Sequence, residues 1–201
     1  VENYFMTLCT DPEFIELMID HIVDYTIALW DDVLNQTDVD YAFIWEDMCY
    51  KNGSLISPKM FSRIMVPRYQ KITRFLKDHG VDIVMVDTDG LCYDVIPHFI
   101  EGGVNYLFPM EVAAGMDIRE VRKRHPDLVI GGGLDKQVLA RGRQAIDAEL
   151  EKVKFLLDTG RYFAHMDHCV DPLISWEDFV YYRRRLREII EKHAEQRRKQ
   201  V

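Results

Sequence analysis

The sequence lacks the features of a disulfide-stabilised, membrane-spanning or nucleic-acid-binding protein. Its 201 residues include four cysteines, none in CxxC spacing, which favours the reducing cytoplasm over an oxidising compartment. No apolar run reaches the roughly 20 residues that a membrane helix needs. Lys and Arg number 25 against 34 Asp and Glu, a net charge of −9, so neither nucleic acid nor an anionic membrane is expected as a partner.

The opening residues, VENYFMTLCT, also lack an initiator Met and the basic and apolar regions of a secretory signal. We therefore expect the chain to be the later part of a longer protein. A hydrophobic content of 48% suffices for a packed core, and the length favours one domain over residues 1–201. The strongly charged residues 191–201 are expected to form a solvated helical tail.

Short apolar runs alternate with segments of helical periodicity. The runs resemble the buried strands of a parallel sheet, and they occupy residues 41–45, 81–86, 106–110, 128–130 and 162–164. The helical segments occupy residues 11–34, 57–80, 93–101, 117–125, 135–160 and 175–199. Apolar residues recur at helical spacing from Phe14 to Leu29, and Tyr41, Phe43 and Trp45 are expected in the core. This alternation predicts an α/β fold with a parallel sheet.

Ionisable residues follow every strand candidate. They are Glu46 and Asp47, then Asp87 and Asp89, then Glu111, then Asp135, and finally His165 and His168. In a (β/α)8 barrel, the TIM barrel, the carboxyl ends of all strands share the face that carries the active site. A doubly wound sheet gathers ligands only at a switch point, so it accounts less well for five such ends. We therefore predict a TIM barrel of which this chain supplies about five strands and their helices, the C-terminal part.

The segment VDIVMVDTDG, residues 81–90, contains the pattern that most strongly indicates a functional site. Two carboxylates, Asp87 and Asp89, end a buried strand, and a buried carboxylate needs a metal, a cation or a hydrogen-bond donor as its partner. An Asx turn closed by Gly90 is the alternative. His168 lies in a predicted loop, where it is either catalytic or held by structural hydrogen bonds.

Four further residues at strand ends are candidates for binding a substrate. They are Glu46, Glu111, Asp135 and His165. For the two glutamates, hydrogen bonding within the barrel mouth is the alternative role.

The order of several motifs resembles the uroporphyrinogen decarboxylase superfamily. The motifs are WEDMCYKNGSLISPKMF, HGVDIVMVDTDG, IPHFIEGGVNYLFPMEVAAGMD, IGGGLDKQVL and HMDHCVDPLISWEDF. The resemblance spans roughly residues 11–190 and implies a (β/α)8 barrel whose later strands this chain supplies. It also implies one of two activities: decarboxylation of a porphyrinogen without a cofactor, or zinc-assisted methyl transfer between a corrinoid and a thiol or a methylated substrate.

The chain departs from the zinc methyltransferases of that superfamily. They carry His-x-Cys where this chain has Asp87-Thr88-Asp89, and a later Cys where it has His168, with Cys169 beside it. The soft thiolate site is therefore absent, although Asp87, Asp89, His168 and Cys169 could hold zinc or a harder divalent ion. The decarboxylase branch has a histidine that His168 resembles, and an aspartate that accepts pyrrole N–H groups, which Asp87 or Asp89 could replace.

These resemblances favour a uroporphyrinogen decarboxylase-like lyase of porphyrin biosynthesis. It would decarboxylate a tetrapyrrole polyacid without a cofactor, with Asp87, Asp89 and His168 as catalytic residues. One alternative is a methyltransferase that uses zinc or another divalent metal, a methylated compound and a corrinoid protein as partner. A second alternative is a non-catalytic binding domain. A homodimer is compatible with either enzyme.

Overall fold

The computed structural model describes residues 2–199. Its helices are α1 (Glu2–Thr10), α2 (Pro12–Leu34), α3 (Pro58–Asp78), α4 (Ile96–Glu101), α5 (Ile118–Arg124), α6 (Lys136–Leu139), α7 (Arg143–Thr159) and α8 (Trp176–Arg198), with a 3-10 turn at Val112–Ala114. Its strands are β1 (Tyr41–Trp45), β2 (Cys49–Tyr50), β3 (Gly53–Ser54), β4 (Ile83–Asp87), β5 (Tyr106–Met110), β6 (Val129–Gly132) and β7 (Tyr162–Phe163). Most of the predicted charged tail belongs to α8, and its last two residues, Gln200 and Val201, lie outside the described residues.

Five of the strands form one parallel sheet in the order β1-β4-β5-β6-β7. Strands β2 and β3 form a separate antiparallel pair. Helices lie between successive strands of the sheet along the chain, which is the repeating strand–helix order of a TIM barrel. The predicted fold class, five strands of such a barrel with their helices, is confirmed.

Side-chain caps fix where the long helices begin. Asp11 accepts the Phe14 N–H at 3.2 Å at the start of α2, and Ser175 accepts the Asp178 N–H at 3.1 Å at the start of α8. Such caps satisfy backbone donors that have no partner inside the helix. The helix starts predicted from Asp-Pro and Ser-x-x-Asp patterns are therefore confirmed.

The chain divides into two compact units. The first contains the residues up to Ile44, Ile56–Met85 and Val95–Val104; the second contains Trp45–Leu55, Val86–Asp94 and the residues from Asn105 onward. In the first unit, the rings of Phe61, Tyr69 and Phe99 pack edge to face or stacked between α3 and α4. In the second unit, α7 and α8 enclose a core that includes Ile146, Leu150, Val153, Tyr182 and Leu186.

Strands β5 and β6 pair in register from Tyr106 with Val129 to Leu107 with Ile130, and the register then shifts before Met110. Pro109 lies at this irregularity, where its missing N–H interrupts no regular ladder. Its peptide bond with Phe108 is cis.

Four elements differ from the sequence prediction. Helix α1 and the hairpin β2–β3 were not predicted. The helix expected over residues 135–160 is two helices, because the chain turns at Gly142 with φ of 84°, a conformation that glycine adopts without strain. The helix expected from residue 93 begins at Ile96.

One prediction about the core was wrong. Trp45 is 74% exposed, and Tyr41 and Phe43 are exposed beside it, because these alternate residues share one face of β1 while Ala42 is buried on the other. In α2, Ile15 and Val23 are buried, whereas several other apolar residues are exposed. They include Phe14, Leu17, Met18, Ile22, Tyr25 and Leu29.

Charge explains the orientation of α2. Arg68 of α3 donates to Asp20 of α2 at 2.7 Å and 2.8 Å and to Glu16 at 3.4 Å. The helix therefore meets α3 through ion pairs as well as apolar contacts. Within residues 2–199, no helix has both the length and the apolar character needed to cross a bilayer.

Candidate functional site

A carboxylate–histidine cluster lies in the second unit, at the carboxyl ends of the strands. Asp89 follows β4, Glu111 follows β5, and His168 lies in the loop after β7. One ligand atom from each residue lies within 4.8 Å of the others, and all three side chains are half-buried. The convergence of strand ends that the sequence predicted brings these three residues together.

The turn after β4 places Asp89 by using three successive N–H groups. Thr88 donates to the Phe108 carbonyl of β5 at 2.8 Å. Asp89 donates to Oδ1 of Asp47 at 3.3 Å, and Gly90 donates to Oε2 of Glu111 at 2.7 Å. The turn therefore depends on side chains that follow two neighbouring strands, in addition to its own sequence.

Gly90 is the position in this turn that requires glycine. Its φ is 84°, and a Cβ added there would lie 2.7 Å from the Cys49 carbonyl carbon and 2.8 Å from the Tyr50 nitrogen. Both neighbours are backbone atoms, so they cannot move as a flexible side chain would. A larger residue would have to displace the turn that carries Asp89.

His168 lies between two carboxylates. Its Nε2 is 3.0 Å from Oδ1 of Asp89, and its Nδ1 is 3.8 Å from Oδ1 of Asp167. The Nδ1 atom is buried and has no hydrogen-bond partner among residues 2–199. One side of the ring therefore faces the cluster, and the other side faces Asp167.

Burial makes this region costly for negative charge. It is the main cause that raises the pKa of Asp87 to about 6, and the nearby charges of Asp89 and Asp47 add to it. Burial also raises the pKa of Asp89, although the charge of His168 opposes the shift. Within residues 2–199, no Lys or Arg forms an ion pair with Asp87, Asp89 or Glu111. Among the described residues, these carboxylates therefore have no Lys or Arg partner that balances their charge.

The donor atoms of the cluster fit a divalent cation. Two carboxylates and one imidazole suit Zn²⁺, Mn²⁺ or Fe²⁺, with positions left for water or substrate. No cysteine belongs to this cluster: Cys49 and Cys92 are buried elsewhere, and Cys169 is exposed. The residues therefore fit an oxygen–nitrogen metal centre and do not fit a thiolate zinc centre.

The remaining predicted site residues lie around this cluster or have other partners. Asp87 is half-buried beside it. The N–H of Glu46 donates to the Asp87 carbonyl at 2.8 Å. Asp135 caps α6 by accepting the Gln137 N–H at 2.9 Å.

His165 has a partner of its own. Its Nδ1 is 2.7 Å from the Met166 carbonyl, and its ring packs edge to face on Phe108. Gly131 provides the room for this ring, since a Cβ there would lie 2.9 Å from His165 Nε2. Asp135 and His165 thus have structural roles that strand-end position alone does not reveal.

Asp167 is the residue that sequence reasoning missed. Only 2% of its surface is exposed, and it accepts the N–H groups of Val112 at 3.0 Å and Lys136 at 3.2 Å. The available signal was an Asp between two histidines in HMDH. That pattern does not indicate burial, which depends on loops distant in the sequence.

A sheet of TIM-barrel type with a carboxylate–histidine cluster at its carboxyl ends is typical of α/β proteins that carry enzyme active sites on that face. The chain belongs to the uroporphyrinogen decarboxylase (URO-D) family, whose model matches residues 1–184. The superfamily includes decarboxylases and methyltransferases. No curated protein sequence matches the chain.

Among solved structures, a methyltransferase from Methanosarcina mazei is similar in fold, with a TM-score of 0.70 and 15% sequence identity. The match covers 96% of this chain and 53% of that chain. The chain therefore spans about half the length of the structure it matches. At this level of identity the similarity concerns the fold.

Proposed function

We propose that the chain belongs to a metal-dependent methyltransferase, in which Asp89, Glu111 and His168 hold a divalent cation. The observation that carries this proposal is the convergence of three ligand atoms, from three different strand ends, within 4.8 Å. The fold similarity to a methyltransferase is consistent with it. Methyl transfer here replaces decarboxylation as the first candidate because of the charge in the site.

A polycarboxylate substrate would meet several fixed negative charges. Asp47, Asp87, Asp89 and Glu111 all lie at or beside the cluster. Like charges at about 4 Å repel by about 4 kcal/mol at an effective dielectric constant of 20. A bound cation turns the same carboxylates into ligands and removes this cost.

Each group in the site would have a separate role in methyl transfer. A divalent cation would act as a Lewis acid that lowers the pKa of a bound thiol or water, so that the acceptor attacks as an anion. Glu111 and Asp89 are oriented by the Gly90 N–H and by the turn that Asp47 supports. Asp87, half-buried beside the cluster, would take up the acceptor's proton. The methyl donor would be a corrinoid protein.

Decarboxylation of a porphyrinogen is the second candidate, favoured by one observation. A carboxyl group with a pKa of about 6 keeps a protonated fraction near neutral pH, as a general acid must. In that reaction Asp87 would protonate the pyrrole ring and Asp89 would stabilise the resulting cation. Asp89 and His168 would then form an ion pair rather than a ligand set.

Parallel assays on the full chain separate the two candidates. Metal-free protein is loaded with Zn²⁺ and assayed for methyl transfer from methylcobalamin to a thiol, and separately for loss of carboxylates from uroporphyrinogen. We expect metal-dependent methyl transfer that is lost in Glu111→Gln, which keeps the acceptor for the Gly90 N–H. Glu151→Gln, on the surface of α7, is the matched control. Metal-independent decarboxylation without methyl transfer would contradict the proposal.

A further inference from the structure

The geometry points to Asp167 as a positioning residue that fixes both Glu111 and His168 for metal binding. This inference rests on the proposed function, because it assigns Asp167 a role toward the cation held by the cluster. Asp167 does not belong to the cluster itself. It would act through the proposed ligands Glu111 and His168.

The first step of the argument is the position of Asp167 among three loops. The residue lies in the loop after β7 and accepts the N–H of Val112, which directly follows Glu111. Its other oxygen accepts the N–H of Lys136, the first residue of α6, which follows β6. One carboxylate therefore joins the loops after three successive strands, and one of those loops carries Glu111.

The second step is the environment of His168. Nδ1 of this ring is buried without a partner among the described residues, and Oδ1 of Asp167 lies 3.8 Å away. A metal-bound histidine usually donates its other ring N–H to a carboxylate or carbonyl, which fixes the tautomer and the ring plane. With Nε2 turned toward Asp89, Nδ1 lies on the Asp167 side. A small rotation of the ring would bring the pair within hydrogen-bond distance.

The third step is the chemistry of the carboxylate itself. The two oxygens of Asp167 each receive an N–H from a different loop. An amide has only one acceptor oxygen and would turn its NH₂ group toward one of these donors. A second contact with an imidazole N–H is likewise stronger for a carboxylate than for an amide. Asp167→Asn is therefore expected to loosen the ligands without changing the residue's size.

The test compares Asp167→Asn with Arg122→Lys in the full chain. Arg122 is a buried charged residue that contacts only backbone carbonyls in the loops before β6 and β7, so its variant controls for general destabilisation. Zn²⁺ affinity is measured by competition with a chelator, and the coordination geometry by the visible spectrum of Co²⁺-loaded protein. We expect Asp167→Asn to weaken binding by about 10- to 100-fold and to change the spectrum, and Arg122→Lys to do neither. Affinity and spectrum unchanged in Asp167→Asn would overturn the inference.

A second variant covers the case in which Asp167→Asn does not fold. Val112→Pro removes one of the two N–H donors, at the first position of a 3-10 turn where proline fits, since Glu111 before it is extended with φ of −71° and ψ of 107°. We expect binding to weaken at least several-fold. Unchanged affinity would again overturn the inference.

A third readout separates this inference from the proposed function. If the wild-type chain binds no metal, the proposed function fails, but the ¹⁵N signal of His168 Nδ1 still reports on Asp167. We expect its chemical shift to differ between the wild-type chain and Asp167→Asn, because the carboxylate that faces the ring becomes an amide. An identical signal in both proteins would show that Asp167 does not orient the ring.

Discussion

The two ends of the sheet in the second unit are organised by buried groups of opposite charge. At the amino ends of β6 and β7, Arg122 is buried, with 4% of its surface exposed. Its guanidinium donates to five backbone carbonyls, those of His125, Pro126, Leu128, Gly160 and Arg161. After the same strands, the carboxylate of Asp167 is 2% exposed and accepts two backbone N–H groups. The buried cation Arg122 therefore binds backbone carbonyls at the amino end, and the buried anion Asp167 binds backbone N–H groups at the carboxyl end.

The difference between the ends lies in what remains unbalanced. At the amino end, burial also disfavours the charge, because it lowers the pKa of Arg122, but five backbone carbonyls accept the guanidinium N–H groups. At the carboxyl end, burial raises the pKa values of Asp87, Asp89 and Asp167, so their charged forms are stabilised less than they would be in water. The carboxylates at the carboxyl end are the ones that the proposed cation would balance, whereas Arg122 at the amino end contributes to stability.

Replacing the charged Arg122 side chain at the amino end should have the largest effect on stability. Arg122→Met leaves several buried carbonyls without donors, and we expect the free energy of unfolding to fall by about 3–5 kcal/mol. Chemical denaturation of the metal-free chain measures this loss. The free energy of unfolding of Arg122→Lys, which retains a charge with fewer donors, should lie between those of the wild-type chain and Arg122→Met. A loss below about 1 kcal/mol would mean that Arg122 does not hold the amino end together.

Distorting the turn at the carboxyl end should have an intermediate effect. In Gly90→Ala, the new methyl group meets the backbone of Cys49 at 2.7 Å, and we expect a loss of about 2 kcal/mol together with weaker metal binding. Gly142 is a matched control, because its φ is also 84° but nothing lies within 4 Å of an added Cβ. Gly142→Ala should cost about 1 kcal/mol and leave metal binding unchanged. Equal losses in the two variants would show that the close approach at Gly90 is unimportant.

Removing a charge from the carboxyl end should stabilise the metal-free protein slightly. The pKa of Asp87 is about 6 in the folded chain and about 4 when unfolded, so the native state binds more protons in this interval and loses stability as the pH rises through it. At pH 7 the loss is complete. Asp87→Asn should then be more stable than the wild-type chain by about 1 kcal/mol, less than the full shift implies, because solvent screens a half-exposed group.

The stabilisation by Asp87→Asn should vanish near pH 4, where Asp87 is protonated in the wild-type chain. Denaturation curves at pH 4 and pH 7, recorded with a chelator present, measure this difference. Asp38→Asn, at an exposed position, should change stability little at either pH. A variant less stable than the wild-type chain at pH 7 would contradict the account of the carboxyl end.

Local sequence patterns predicted the five strands of the sheet and most of the helices, and they placed Asp89 near His168. The strands could be predicted because buried parallel strands are continuous apolar runs, and the helices because their caps and periodicity are local. The proximity of Asp89 to His168, far apart in sequence, followed from one rule: the ends of parallel strands share a face.

Which acids would cluster could not be predicted from the sequence. Glu111 and Asp135 both follow strands, but one accepts the N–H of Gly90 and the other caps α6. That difference depends on turn geometry and on whether a helix begins at the next residue. The burial of Asp167 depends on the N–H groups of Val112 and Lys136, which the sequence places 55 and 31 residues away.

The most direct test of a cation site at the carboxyl end is calorimetric titration of the metal-free full chain with Zn²⁺. Wild-type protein should bind one ion per chain, and the double variant Glu111→Gln with His168→Gln should bind it more than about 100-fold more weakly, beyond the effect of residues that only support ligands. Absence of saturable binding by the wild-type chain, or equal binding by the double variant, would contradict the account.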